Sequence, residues 1–208
     1  MTLSNLRRGL MGLGFLVLAM SAYASDFDSF EMHEADVNFS DYEKVYIAPV
    51  TLNLETRRHY RDSHGDRPVS ERDQAEKAKD TYEALIKAFE KQGVMIAEAP
   101  GPDVLTIATQ ITSLRSSRPT MADYEEQISL SAKSLYAGGV DLTFQVSVED
   151  KPLADISEDY TTLLSDSRIR AGIWQDANFG INRATRKLAK FISSEMAEEM
   201  TSEAGSGS

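Results

Sequence analysis

Hydrophobic and polar positions alternate most cleanly in GVDLTFQVSVED, residues 139–150. Val140, Leu142, Phe144, Val146 and Val148 fall on one side, and Asp141, Thr143, Gln145, Ser147 and Glu149 on the other. A period of two with one apolar and one polar side predicts an antiparallel strand that packs on one face and meets water on the other. Glu149-Asp150-Lys151-Pro152 then turns the chain, and LADISEDYTTLL returns as its hairpin partner. Short runs of β-branched and aromatic residues predict further strands at DYEKVYIAPVTL (41–52), VMIA (94–97) and DVLTIATQITSL (103–114). In the last of these Leu105, Ile107 and Ile111 share a face. Pro49, which has no amide donor, marks the end of the first strand or a sheet edge.

Two segments change to a helical period. Ala75, Ala78, Tyr82, Leu85, Ile86 and Phe89 recur on one face, after a capping-box-like start at Ser70 and Asp73 and before a stop at Gly93. The last element, WQDANFGINRATRKLAKFISSEMAEEM, carries a stripe of Trp174, Ala177, Ile181, Ala184, Leu188, Phe191 and Met196. Lys187 and Lys190 lie off that stripe, and Arg183 and Arg186 belong to its exposed side. Trp174 at its head is expected in the core or in a capping contact, with Asp176 and Asn178 as caps or as donors and acceptors to the hairpin. Residues 115–139 read as a loop over the domain, with 128–135 partly ordered.

The order is thus β-α-β-β-β-β-α. The fold class is α/β (α+β): a two-layer sandwich in which a mixed or antiparallel sheet of about five strands carries both helices on one face. Residues 41–200 form this single domain. Residues 25–40, acidic with scattered Phe, precede it as a flexible lead-in or a packed arm, and residues 201–208 are a disordered tail.

The first 24 residues have a different character. Arg7 and Arg8 are the only charges before Asp26, Gly9 to Met20 is uncharged and mostly apolar, and Ala22-Tyr23-Ala24 places small residues where a signal peptidase reads them. This is the secretory pattern, with cleavage after Ala24 and a mature chain from Ser25. Gly9, Gly12 and Gly14 weaken the alternative of a buried helix. The apolar run is shorter than the roughly 20 residues a membrane-spanning helix needs. With no Cys, a lipoprotein anchor is excluded, so no stable membrane anchor is expected after cleavage.

A formal charge of −11 on 208 residues opposes binding to nucleic acid or to anionic lipid. Absence of Cys removes disulfides, thiol catalysis and Cys-ligated zinc. Neither a G-x-S-x-G elbow, a P-loop nor a G-x-G-x-x-G occurs, and no cofactor is implied. Gly138-Gly139 reads as a turn before a strand. Asp155, Glu158 and Asp159 could do acid–base work only if a cleft gathered them; in a hairpin they form a solvated edge.

The densest polar cluster is ETRRHYRDSHGDR, residues 55–67. His59, His64 and Asp66 are conceivable metal ligands, but their spacing matches no helical zinc motif, and a solvated loop is the expectation. Arg57, Arg58 and Arg61 make a basic spot just before the first helix, where amide groups and the helix dipole favour an anion. The neighbouring acids Glu55, Asp62, Asp66 and Glu71 offer internal neutralisation instead.

DYEKVYIAPV, APGPDVLTIATQITSL, the VDLTFQVSVEDKPLAD hairpin and the Trp-led final helix occur in an order that resembles DUF3313, a domain-of-unknown-function family of exported bacterial proteins, many of them lipoproteins. The resemblance covers residues 40–195 and rests on PGPDVL with its I-T strand and on the W-x-D-A helix. It implies an envelope location and a small α/β domain; it supplies no activity and no catalytic residues. The missing Cys departs from the lipoprotein members. Together these features predict a periplasmic, non-enzymatic module that binds an envelope protein. A small-anion binder using Arg57 to Arg61 and a metal-assisted hydrolase are the rivals.

Overall fold

A computed structural model of the chain describes residues 26–33, 38–54, 69–121, 137–162 and 172–197. Within them the elements are β1 (Ser29–Met32), β2 (Lys44–Ile47), β3 (Thr51–Leu52), α1 (Glu71–Lys91), β4 (Met95–Ile96), β5 (Val104–Arg115), β6 (Gly139–Val148), β7 (Lys151–Thr161) and α2 (Gln175–Ala197), with a 3-10 turn at Phe39–Asp41. The strands form one mixed sheet in the order β1-β7-β6-β5-β2-β4, with β3 also on β5. β5, β6, β7 and β1 pair antiparallel. β2 runs parallel to both β5 and β4, which requires a crossover, and α1 supplies it.

The expected class and the placement of both helices on one face hold. The strand number does not: among the described residues there are seven strands rather than about five. One addition comes from a split. The run 41–52 pairs with β5 before and after Pro49, with Ala48 N donating to Ile107 O (3.0 Å) and Asn53 N to Ile111 O (3.0 Å), so proline divides it into β2 and β3.

The other addition is β1, from the acidic lead-in. Its pairing with β7 is supported by the Asp159 amide donating to Asp28 (2.6 Å) and by the side-chain contact of His33 with Asp155 (2.9 Å). Phe27, Phe30 and Phe39 meet Phe191 of α2 edge-on at 5.7, 5.3 and 6.1 Å. The flexible arm expected over residues 25–40 is therefore corrected from Asp26 to His33, where strand pairing and the Phe191 contacts make it a packed arm.

The hairpin turn is tighter than the sequence suggests. β7 already begins at Lys151, and the two turn residues, Glu149 and Asp150, have φ of 47° and 66°. That left-handed pair is the type I′ geometry that matches strand twist. Gly93, with φ 78°, closes α1 at the expected position.

The core lies between the sheet and both helices: Val45, Ile47, Leu105, Ile107, Ile111, Leu142, Phe144 and Val146 face Leu85, Phe89, Ile181, Leu188 and Phe191. α1 is rotated slightly from its expected stripe. Ala75 is exposed, and Lys77, Thr81, Leu85, Ala88 and Phe89 are buried. Lys77 fits there because its ammonium donates to Asp80 (2.5 Å) and to Asn178 of α2 (2.8 Å), linking the helices.

Candidate functional site

The sequence-predicted site residues Arg57, Arg58, Arg61, His59, His64 and Asp66, and the cleavage positions Ala22, Ala24 and Ser25, lie outside the described residues. The helix start next to the arginines is described, and its own acids occupy it. Ser70 accepts from the Asp73 amide (3.1 Å), and the Asp73 carboxylate accepts from Ser70 Oγ (2.7 Å) and Trp174 Nε1 (3.3 Å). Glu71 and Asp73 both lie in that first turn. Trp174 therefore acts in a capping contact between helices.

The carboxylates of β7 do not converge. Alternation puts Glu158 on the core face, 3% exposed and held by Lys187 (2.6 Å), with Arg183 at 3.7 Å. Asp155 and Asp159 point to the other side of the strand. Among the described residues, no group of three or more His, Asp or Glu is placed to hold a metal ion. No described helix is long and apolar enough to cross a membrane.

What the described residues build is a sheet face that neither helix covers. Antiparallel register aligns Ala108, Gln145, Asp155 and Glu31 in one row, and Gln110, Thr143, Ser157 and Ser29 in the next. Thr106 and Tyr46 continue the surface toward β2. Both helices pack on the opposite face, and this one presents mainly uncharged polar side chains on a pleated plane, with Gln145, Ser29 and Glu31 exposed and Ala108, Gln110, Thr143, Asp155 and Ser157 half-buried. Ser29 and Ser157 share a hydrogen bond across it (2.6 Å).

At one end of this face stands an ion pair that sequence reading missed. Arg115 holds Asp141 through Nη1 and Nη2 (2.9 and 2.7 Å), and also donates to Ser113 Oγ (2.6 Å), Tyr160 O (3.1 Å) and Thr161 Oγ1 (2.8 Å). Asp141 is 4% exposed. The arrangement needs Gly139, which is a residue of β6 rather than of a turn. A Cβ there would lie 2.0 Å from Tyr160 O and 2.9 Å from Arg115 Nη2. The signal was present in the polar side of the alternating strand, but it becomes readable only once register puts Asp141 one row from Arg115. The fork geometry fixes three strands together at the rim.

Fold and surface define a small α+β sandwich with a polar sheet face that, among the described residues, neither helix covers. A family model described as "Protein of unknown function (DUF3313)" matches residues 25–156, from the arm through the first half of β7. The chain belongs to the DUF3313 family. A comparison with curated proteins finds no match. Among solved structures, a PelC dodecamer from Paraburkholderia phytofirmans is 11% identical, with a TM-score of 0.40, covering 79% of this chain and 95% of that one. A DUF330 protein from Xanthomonas campestris is 13% identical, with a TM-score of 0.43, covering 76% and 89%. A minor lipoprotein from Acinetobacter baumannii is 12% identical, with a TM-score of 0.33, covering 74% and 94%. These likenesses are distant, and no functional reading rests on them.

Proposed function

We propose that this DUF3313 protein is an exported, non-enzymatic module that offers the uncovered face of its sheet to a protein partner in the bacterial envelope. The observation that carries the reading is the two-row surface of Ala108, Gln145, Asp155, Gln110, Thr143 and Ser157, left open by helices that share the other face. A flat polar surface has no concavity to enclose a small molecule, and its polar groups can be desolvated only against hydrogen-bonding partners, which a complementary protein surface supplies. The separation of Glu158 from Asp155 and Asp159 supports a non-catalytic role for β7. Export rests on the Arg7-Arg8, Gly9–Met20 and Ala22-x-Ala24 pattern. The envelope location follows from what DUF3313 resemblance implies.

The test is a photo-crosslinking residue placed at Gln145 or Gln110 and, as comparison, at Lys79 on the outside of α1. The reading expects one discrete adduct in cells from the sheet positions and none from Lys79. Equal adduct patterns from both faces would remove the sheet face as the binding surface.

A further inference from the structure

The charge of this acidic chain is unevenly spread, and α2 holds the exception. The two acids within Gln175–Ala197, Asp176 and Glu195, are both buried, whereas Arg183, Arg186 and Lys190 are exposed. At 100° per residue, Phe179, Arg183, Arg186 and Lys190 lie within about 60° of one another around the helix. Phe179, 41% exposed and packed on one side against Tyr160 (ring centres 5.3 Å apart), is a large apolar ring at the N-terminal end of the row of cations. The outer side of α2 is therefore a basic, aromatic stripe free of acids of its own helix.

The chain's start is tied to that helix. Lys187, one turn from Arg183 and Lys190, donates to the Asp26 carbonyl and sits 4.6 Å from the centre of the Phe27 ring. Only residues 21–25 separate Asp26 from the apolar run Gly9–Met20. Fully extended, they reach about 20 Å. Whenever that run is in a bilayer, α2 is held within reach of the headgroups.

We propose that the outer stripe of α2 docks on an anionic lipid surface while the leader is in the membrane, turning the bare sheet face away from the bilayer. The net charge of −11 opposes this only at long range. Screening confines each charge to about 8 Å at physiological ionic strength, so the local stripe outweighs distant acids. Glu158 beneath it is neutralised by Lys187 and Arg183. Asp26 and Asp28 flank the stripe, and the Asp28 carboxylate is turned onto the Asp159 amide. Each cation near an anionic surface is worth about a five-fold change in partitioning, so Arg186 and Lys190, which do not contact Glu158, give about twenty-five-fold, with Arg183 adding less. That is too weak to hold the free domain and enough to orient a tethered one.

Because the chain contains no Cys, single-site labelling is clean. Full-length, leader-bearing protein carrying Ser193→Cys or Gln145→Cys is labelled with a polarity-sensitive fluorophore. It is then bound to phosphatidylcholine vesicles with or without phosphatidylglycerol, with flotation confirming attachment. The label at 193 should enter the interface only when phosphatidylglycerol is present. It should leave when Arg183→Gln, Arg186→Gln and Lys190→Gln are combined, and the label at 145 should stay aqueous throughout. Failure to float, equal signals with and without anionic lipid, retention by the triple variant, or interfacial burial at 145 would each overturn the proposal. It does not depend on what the sheet face binds.

Discussion

Asp141→Asn is the sharpest test of how the rim of the open face is held. The substitution keeps shape and one acceptor but turns an NH2 group toward a guanidinium that can only donate. Two charge-assisted hydrogen bonds of 2.9 and 2.7 Å are affected at a side chain that is 6% exposed, facing an arginine that is 18% exposed. Hydrogen bonds to charged groups contribute about 1.5–3 kcal/mol each, and removing one partner of a buried pair costs about 3–5 kcal/mol. Water reaches part of Arg115, and Ser113, Thr161 and the Tyr160 carbonyl still accept from its terminal nitrogens, so the expected loss is about 2–3 kcal/mol. Urea unfolding read by far-UV circular dichroism should show a lower midpoint at unchanged slope, with the melting temperature falling by about 4–12 °C. Asp103→Asn, an exposed acid in a turn, should change stability by less than about 0.5 kcal/mol. Adding Arg115→Gln should recover part of the loss, with a coupling of about 1 kcal/mol or more. A loss under about 0.5 kcal/mol for Asp141→Asn, or strict additivity in the double variant, would refute the claim that this pair fixes the rim.

Three further outcomes follow from the packing. Glu149→Asn with Asp150→Gly should stabilise by about 0.5–1 kcal/mol in urea titrations, because both positions have positive φ and the new residues accept it. Phe191→Ala should cost about 3–5 kcal/mol and strip hydrogen-exchange protection from Ser29–Met32, since Phe27, Phe30 and Phe39 all pack on that ring. Lys77→Met should stay within about 1 kcal/mol of the parent or gain, whereas Asn178→Ala should lose about 1–3 kcal/mol by leaving a buried ammonium short of an acceptor.

What could be read from the sequence is what has a period. β5, β6, β7, α1 and α2 show their buried sides in the chain itself, because water and core alternate every two or about 3.6 residues. β1 shows nothing comparable. Ser29–Met32 is only four residues long, and Phe27, Phe30 and Phe39 come from a turn, a strand and a 3-10 turn that share Phe191 rather than a spacing. Buried charge is hidden for a similar reason. Lys77, Glu158 and Lys187 look like solvated positions until partners distant in sequence are brought beside them. Gly139 looks like turn chemistry, yet its role is to let Tyr160 and Arg115 approach. The open face was foreseen from the polar side of β6, but which strands extend it required the register. The loop carrying Arg57, Arg58, Arg61, His59, His64 and Asp66 lies outside the described residues, and its chemistry stands as the sequence expectation.

The central claim is that the uncovered sheet face, and not the helix layer, meets a partner. Thr143→Arg and Gln145→Arg place bulk and charge in the middle of that face without touching the core, and Lys79→Glu with Glu83→Arg changes the outside of α1. The measurement is the yield of the adduct formed from a photo-crosslinking residue at Gln110, with each variant first shown to keep the parent's melting temperature within about 2 °C. The account predicts that the sheet variant loses the adduct and the α1 variant retains it. Undiminished crosslinking in a folded Thr143→Arg/Gln145→Arg protein would contradict it.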